Sequence, residues 1–291
     1  KCIEKMNRVY PLRFAIYYTR QGWPLLFKSC LLPLIQQADC NRYALYFCKE
    51  QGAHIRLELY LQQTVSNRTL LFQSIIETFL AAHPTQSADK PLPLHDSFFL
   101  DLPNNSVYTN SFKPYAAPIS QLNPRQVISI RTEISAMMLD VFTDAPVDEN
   151  SLFNFYLCLE IIALSVFDNP QEAVNLLQND CKKLASRLPQ NEVNRLKDEA
   201  NKLIKHNHDD LDQLVTLMQY GNCTADTQWL AMWRETCKEI AATAEPLNLF
   251  RDISTLICQQ IDFHHTKWSL LSLITINNLL INQHRSIHCT T

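Results

Sequence analysis

The chain has 291 residues, 46% hydrophobic and 10% aromatic, with a formal charge of −3 and no block of like charge. That is enough apolar material for one large domain or two ordinary ones, and it argues against nucleic-acid binding through a basic field. Only three glycines occur, scattered, which excludes phosphate-cradling loops and dinucleotide fingerprints, and no run of eighteen apolar residues predicts a membrane span.

Ten cysteines are spread along the sequence without a Cys-x-x-Cys pair. This spacing predicts reduced, buried thiols in a cytoplasmic protein, with neither a disulfide framework nor a zinc site. No secretory signal pattern is present. The sequence opens on Lys1 and not on methionine, which leaves open whether a short leader or tag precedes it.

In chain order, "RFAIYY" (13 to 18) reads as a short strand. Gly22-Trp23-Pro24 opens an apolar-periodic helix to about Gln37. Strands follow at 43 to 48 and 54 to 61. In the second, Ile55, Leu57, Leu59 and Leu61 alternate with His54, Arg56, Glu58 and Tyr60, giving one oily and one polar face. Ser66 or Asn67 caps a further helix that stops before Pro84, and "SFFLDL" (97 to 102) is a candidate edge strand. Residues 103 to 126 hold four prolines and read as an irregular loop carrying Tyr108 and Tyr115.

From Pro124 onward the pattern is helical, with candidates at 125–142, 149–167, 170–187, 190–218, 224–243, 247–262 and 266–283. The fold class is therefore α+β: a small N-terminal antiparallel-type sheet with packed helices, then a mostly helical C-terminal part. As one unit over 1–291, the chain divides into an α+β region (1–102), a loop (103–126) and a helical region (127–291).

Few residues stand out chemically. His206-Asn207-His208-Asp209-Asp210 reads as a solvated turn, since no second cluster completes a coordination set. His264-His265 reads as a helix-entry pair, and Trp229 with Trp233 as a helical core stripe. His54 and Arg56 are different. They share one strand face after a glycine turn, where an Arg can bind a carboxylate bidentately. Spacing alone leaves this level with a solvated face on which Glu58 pairs one of them.

The segments "RFAIYY", "WPLLFKSCLLPLI" and "YALYFCKEQGAHIRLELYL" resemble the opening of the C-terminal domain of class I lanthipeptide dehydratases, also found as a standalone thiopeptide-type biosynthesis protein. "YTNSFKPYAA" (108 to 117) is similar in spacing to that family's Tyr-x-Pro-Glu-x-x-Arg-Tyr-Gly-Gly. "LITINNLLI" resembles its closing His-Met-His-x-Asn-Arg-Leu helix.

The resemblance implies chemistry on a precursor peptide. In the family this domain eliminates glutamate from glutamylated Ser or Thr, using arginines for the leaving carboxylate and enolate and a base for the Cα proton. Here His54 and Arg56 keep the pattern, but Phe47 and Glu58 stand where the strand has Arg. Ser111 replaces the loop Glu, and Pro114 its Arg, while Tyr108 and Tyr115 remain. In the last helix Leu273 and Thr275 take the His positions, Asn277 is kept and Asn278 replaces Arg.

A kept scaffold with exchanged polar groups points away from standard elimination. It points towards the pyridine synthases built on the same scaffold, which join two dehydroalanines in a formal [4+2] cyclisation and expel water and the leader peptide. Glutamate elimination by a rebuilt site and non-catalytic leader binding stay open. The implied catalytic candidates are Arg56, His54, Tyr108 and Tyr115. The implied substrate contacts are Glu58, Ser111, Lys113, Thr275 and Asn277. No metal and no cofactor are expected. The partners are a precursor peptide and, in the elimination reading, a separate glutamylating subunit; a homodimer stays open.

Overall fold

The computed structural model describes residues 10–49, 52–61, 66–86, 102–113, 119–221, 228–242, 244–263 and 266–288. The chain divides into two compact units. One holds residues 1–116, 124–151 and 259–262, the other 117–123, 152–258 and 263–291.

The first unit is built on one antiparallel sheet. Its strands are β1 (Tyr10–Tyr17), β2 (Tyr43–Cys48), β3 (His54–Leu61) and β4 (Ser106–Thr109), in the order β2-β3-β1-β4. Alternation fixes the register, because a slip of one residue would turn every oily side chain to the polar face. Phe14 lies opposite Leu57, Ile16 opposite Ile55, and Leu45 opposite Leu57 from the other side, so these residues share the oily face. All are buried, and Phe47 of the same face packs on Trp23, Phe27 and Phe142 with ring centroids 4.8, 6.0 and 5.6 Å away.

Trp23 belongs to the short helix α1 (Trp23–Leu26) and Phe27 to the π-turn over Phe27–Leu31 that joins it to α2 (Leu32–Gln37). Pro33 lacks an N–H and crowds the carbonyl a turn before it, so the helix widens there. The Leu32 N–H accordingly reaches back to the Phe27 carbonyl.

Helix α3 (Ser66–Ala82) packs beside β4, and α4 (Pro124–Phe142) lies along the outer edge of β2. An exposed strand edge leaves backbone groups unpaired. Here α4 pairs them with side chains. The Tyr43 N–H donates to Thr132 Oγ1 (3.2 Å) and the Leu45 N–H to Ser135 Oγ (2.8 Å). Gln260 Nε2 donates to the Leu45 carbonyl (3.1 Å), the Arg131 carbonyl (3.0 Å) and Ser135 Oγ (2.9 Å).

The second unit is helical. It takes most of α5 (Glu149–Ala163), then α6 (Pro170–Ala185), α7 (Gln190–His206), α8 (His208–Tyr220), α9 (Gln228–Ala241), all but the end of α10 (Pro246–Ile261), and α11 (Thr266–His288). Helix α11 packs along α6 and α7. Trp233 is buried, as its helical spacing predicts, and its indole N–H donates to the Leu159 carbonyl at 3.1 Å. No helix among the described residues is long and apolar enough to cross a membrane.

The α+β class stands, and the strands at 43–48 and 54–61 lie where alternation places them. Some details differ. The first strand runs Tyr10–Tyr17, not 13 to 18. The stretch 103–126 is not all loop, because Ser106–Thr109 forms the edge strand β4, set between Asn105 and Asn110 at φ 60 and 53°. The candidate strand at 97–102 lies outside the described residues except for Leu102, which is in no strand. The single helix expected over 190–218 is two helices. Asn207 leaves helical geometry (φ −119°, ψ 30°), and both its backbone N–H and its side-chain amide donate to the Leu203 carbonyl, capping the first helix.

Candidate functional site

The polar face of the sheet gathers residues far apart in sequence. Antiparallel pairing sets Tyr17 opposite His54, Ala15 opposite Arg56 and Arg13 opposite Glu58. On the other side of β3, Tyr46 lies opposite Arg56 and Cys48 opposite His54, and β4 sets Tyr108 opposite Ala15. Two clusters result.

His54 and Arg56 centre the first. The His54 ring is fully buried and stacked on Tyr17 with centroids 4.4 Å apart. Its Nδ1 lies 2.9 Å from the Gly52 carbonyl, and Arg56 Nε donates to its Nε2 at 3.1 Å. A neutral ring carrying its proton on Nδ1 satisfies both bonds; a proton on Nε2 would face the Arg56 N–H. Gly52 makes the first bond reachable, at φ 99°, a backbone region that favours glycine. The Arg56 guanidinium carbon lies 5.1 Å from the Phe112 ring centroid, and Tyr108 meets Tyr17 edge-on at 5.7 Å. A cation over an aromatic face is attracted by the ring's quadrupole, which helps hold the guanidinium at this place.

Glu58 centres the second cluster. It is 1% exposed and accepts from Arg13 Nε (3.0 Å), Tyr60 Oη (2.6 Å) and Tyr46 Oη (3.4 Å). The Arg131 guanidinium stands 5.7 Å from the Tyr46 ring and donates to Gln259 Oε1 at 3.1 Å. Burial, with the Glu58 charge adding to it, pushes both phenols well up. They therefore remain protonated donors near neutrality. This cluster is an internal charge network whose carboxylate is already occupied by its neighbours.

The other sequence candidates fall in three places. Ser111 and Lys113 are exposed on the segment after β4, on either side of Phe112. Thr275 and Asn277 lie on α11 in the second unit. The Thr275 hydroxyl is buried and donates to the Leu271 carbonyl, while Asn277 Oδ1 is buried without a partner among the described residues. Tyr115 lies outside the described residues. Sequence reasoning did not single out Arg13, Tyr17, Phe112 or Arg131. Tyr17 and Arg13 follow the period-two pattern of β1, which becomes informative only once their partners on β3 are known.

Among the described residues no group of three or more His, Cys, Asp or Glu side chains is placed to hold a metal ion. Desolvation pushes the thiols of Cys30, Cys158, Cys181 and Cys258 up to about 12; Cys30 is buried, while the other three are only half-buried, short of the full burial their spacing predicts.

No protein-family model matches the sequence, and no curated protein matches it. Among solved structures, the chain is similar to the pyridine synthase TbtD from thiomuracin biosynthesis, at 12% identity and a TM-score of 0.68, over 94% of this chain and 98% of that one. It is also similar to TsrL, at 11% identity and a TM-score of 0.50, over 94% and 95% of the two chains. The chain thus shares its fold, over nearly its whole length, with these two proteins.

Proposed function

We propose that this protein modifies a ribosomally made precursor peptide, and that its reaction is pyridine formation by [4+2] cyclisation of two dehydroalanines with loss of water and the leader peptide. The observation that carries this reading is the whole-length likeness in fold to a pyridine synthase. The polar sheet face gives it residues. Arg56, bonded to His54 and covered by Phe112, brings a guanidinium to this face, a group whose planar fork matches a peptide carboxylate or carbonyl. Tyr108 brings a phenol to the same face, suited to give a proton to the departing hydroxyl. His54, fully buried with both ring nitrogens engaged, contributes by positioning Arg56.

This chemistry asks mainly that two segments of one peptide be held together. Proximity supplies about 7–11 kcal/mol of a barrier when the reacting ends are well oriented. A buried Glu58 network in place of a second strand arginine is compatible with that demand. It suits glutamate elimination less well, because there a released carboxylate needs cationic groups of its own.

The test is incubation with the dehydrated precursor and, separately, the glutamylated precursor, followed by mass spectrometry. Release of leader peptide with a cyclised core is the expected result. Loss of glutamate from the second precursor would replace this reading with elimination. Unchanged masses with measurable binding would leave a peptide-binding subunit.

A further inference from the structure

The second unit contains a cavity of about 270 Å³ that plays no part in the chemistry above. Its walls are Leu164, Phe167, Met218 and Leu280, all buried. An apolar cavity of about 150 Å³ is already large enough to admit benzene, so this one accepts a larger aromatic body.

Three polar features distinguish it from a packing fault. Ser165 lines it, is 3% exposed, and its hydroxyl has no hydrogen-bond partner among the described residues. A buried hydroxyl left unpaired is destabilising, and a ligand atom can supply the missing bond. Asp168, exposed, and Lys238, half-buried, also line the cavity and carry opposite charges. Tyr220 lines it too while 66% exposed, so a large aromatic face stands at the boundary with solvent.

We propose that this cavity binds an aromatic amino-acid zwitterion. The ring enters between Leu164, Phe167, Met218 and Leu280, and its polar tip, an indole N–H or a phenol, meets the Ser165 hydroxyl. The ammonium pairs with Asp168 and the carboxylate with Lys238. A ligand with only the apolar body would leave Ser165 unsatisfied, and one with a single charge would use only one of the two rim groups.

L-Tryptophan is the probe, titrated into the full-length protein by calorimetry or ligand-observed NMR. Saturable binding at about millimolar or tighter is expected, with tryptamine, indole-3-propionate and N-acetyl-L-tryptophanamide each weaker. Lys238→Ala and Asp168→Asn change residues that reach solvent, so the fold persists. Each should weaken L-tryptophan about ten-fold. Ser165→Ala should weaken L-tryptophan more than L-phenylalanine, which has no polar tip. The proposal is overturned by no saturable binding up to the solubility limit, by equal binding of N-acetyl-L-tryptophanamide, or by an affinity that neither charge substitution moves.

Discussion

Arg56 donates its Nε–H to His54 Nε2 at 3.1 Å, and the other nitrogen of that ring meets the Gly52 carbonyl at 2.9 Å. The imidazole therefore bridges a glycine turn and a guanidinium, and it aims the Arg56 side chain. Replacing Arg56 by alanine should leave the fold intact, since the side chain is only half-buried. A lost charge-assisted hydrogen bond of roughly 1.5–3 kcal/mol corresponds to about a ten- to more than hundred-fold loss of peptide affinity or turnover. If His54 acts through Arg56, His54→Leu should weaken the peptide too, and the double variant should be no worse than Arg56→Ala. Additive losses in that cycle would instead give His54 its own contact with the peptide.

The Glu58 network should matter for stability more than for turnover. Its carboxylate is buried against Arg13, Tyr60 and Tyr46, and Arg13 retains 23% side-chain exposure, so solvent takes up part of the freed charge. Glu58→Ala should therefore cost about 2–3 kcal/mol, below the figure for a fully buried broken pair. Tyr60→Phe should cost about 1–2 kcal/mol, because one donor to a charged acceptor is lost. Urea midpoints measure both. A neutral Glu58→Ala result would mean that the network is loosely held.

The contrast between these clusters shows what the sequence made legible. His54, Arg56 and Glu58 alternate within one strand, so their common face is visible from spacing alone. That Glu58 is already occupied depends on Arg13, 45 residues away, and on Tyr46 of the neighbouring strand. Local pattern does not encode such pairings. Strands β2 and β3 were readable because six and eight residues of apolar periodicity suffice. Ser106–Thr109 offers only four residues in a proline-studded stretch and takes its strand geometry from pairing with β1. The break at Asn207 rests on the backbone geometry of one residue, which hydrophobic spacing does not mark.

The covered edge of β2 yields a third prediction. Gln260 Nε2 is shared among the Leu45 carbonyl, the Arg131 carbonyl and Ser135 Oγ, while Ser135 Oγ accepts the Leu45 N–H. Gln260→Leu leaves a buried strand carbonyl without this donor, and Ser135→Ala leaves a strand N–H unpaired. Each should cost about 1–3 kcal/mol, and the pair should lose less than the sum because they share one bond. The Leu45 amide should then exchange with deuterium faster in both variants. Unchanged protection would show that the helix shields this edge by packing alone.

The last prediction concerns pH and lies in the second unit. Glu160 is buried on α5, and burial pushes its carboxyl up to about 7, against the opposing pull of Ser254 and Tyr156. In the unfolded chain the same group titrates near the ordinary 4.5. The folded state therefore holds the proton more tightly, so stability is lost as pH rises from the unfolded value through the folded one. Across that window the loss approaches about 3 kcal/mol and then levels off. Glu160→Gln keeps the shape but cannot ionise. It should resemble the parent near pH 4.5 and exceed it by up to about 3 kcal/mol at pH 8. Denaturant midpoints of both proteins at the two pH values measure the difference. A gap that does not change with pH would show that Glu160 finds enough stabilisation to ionise in place.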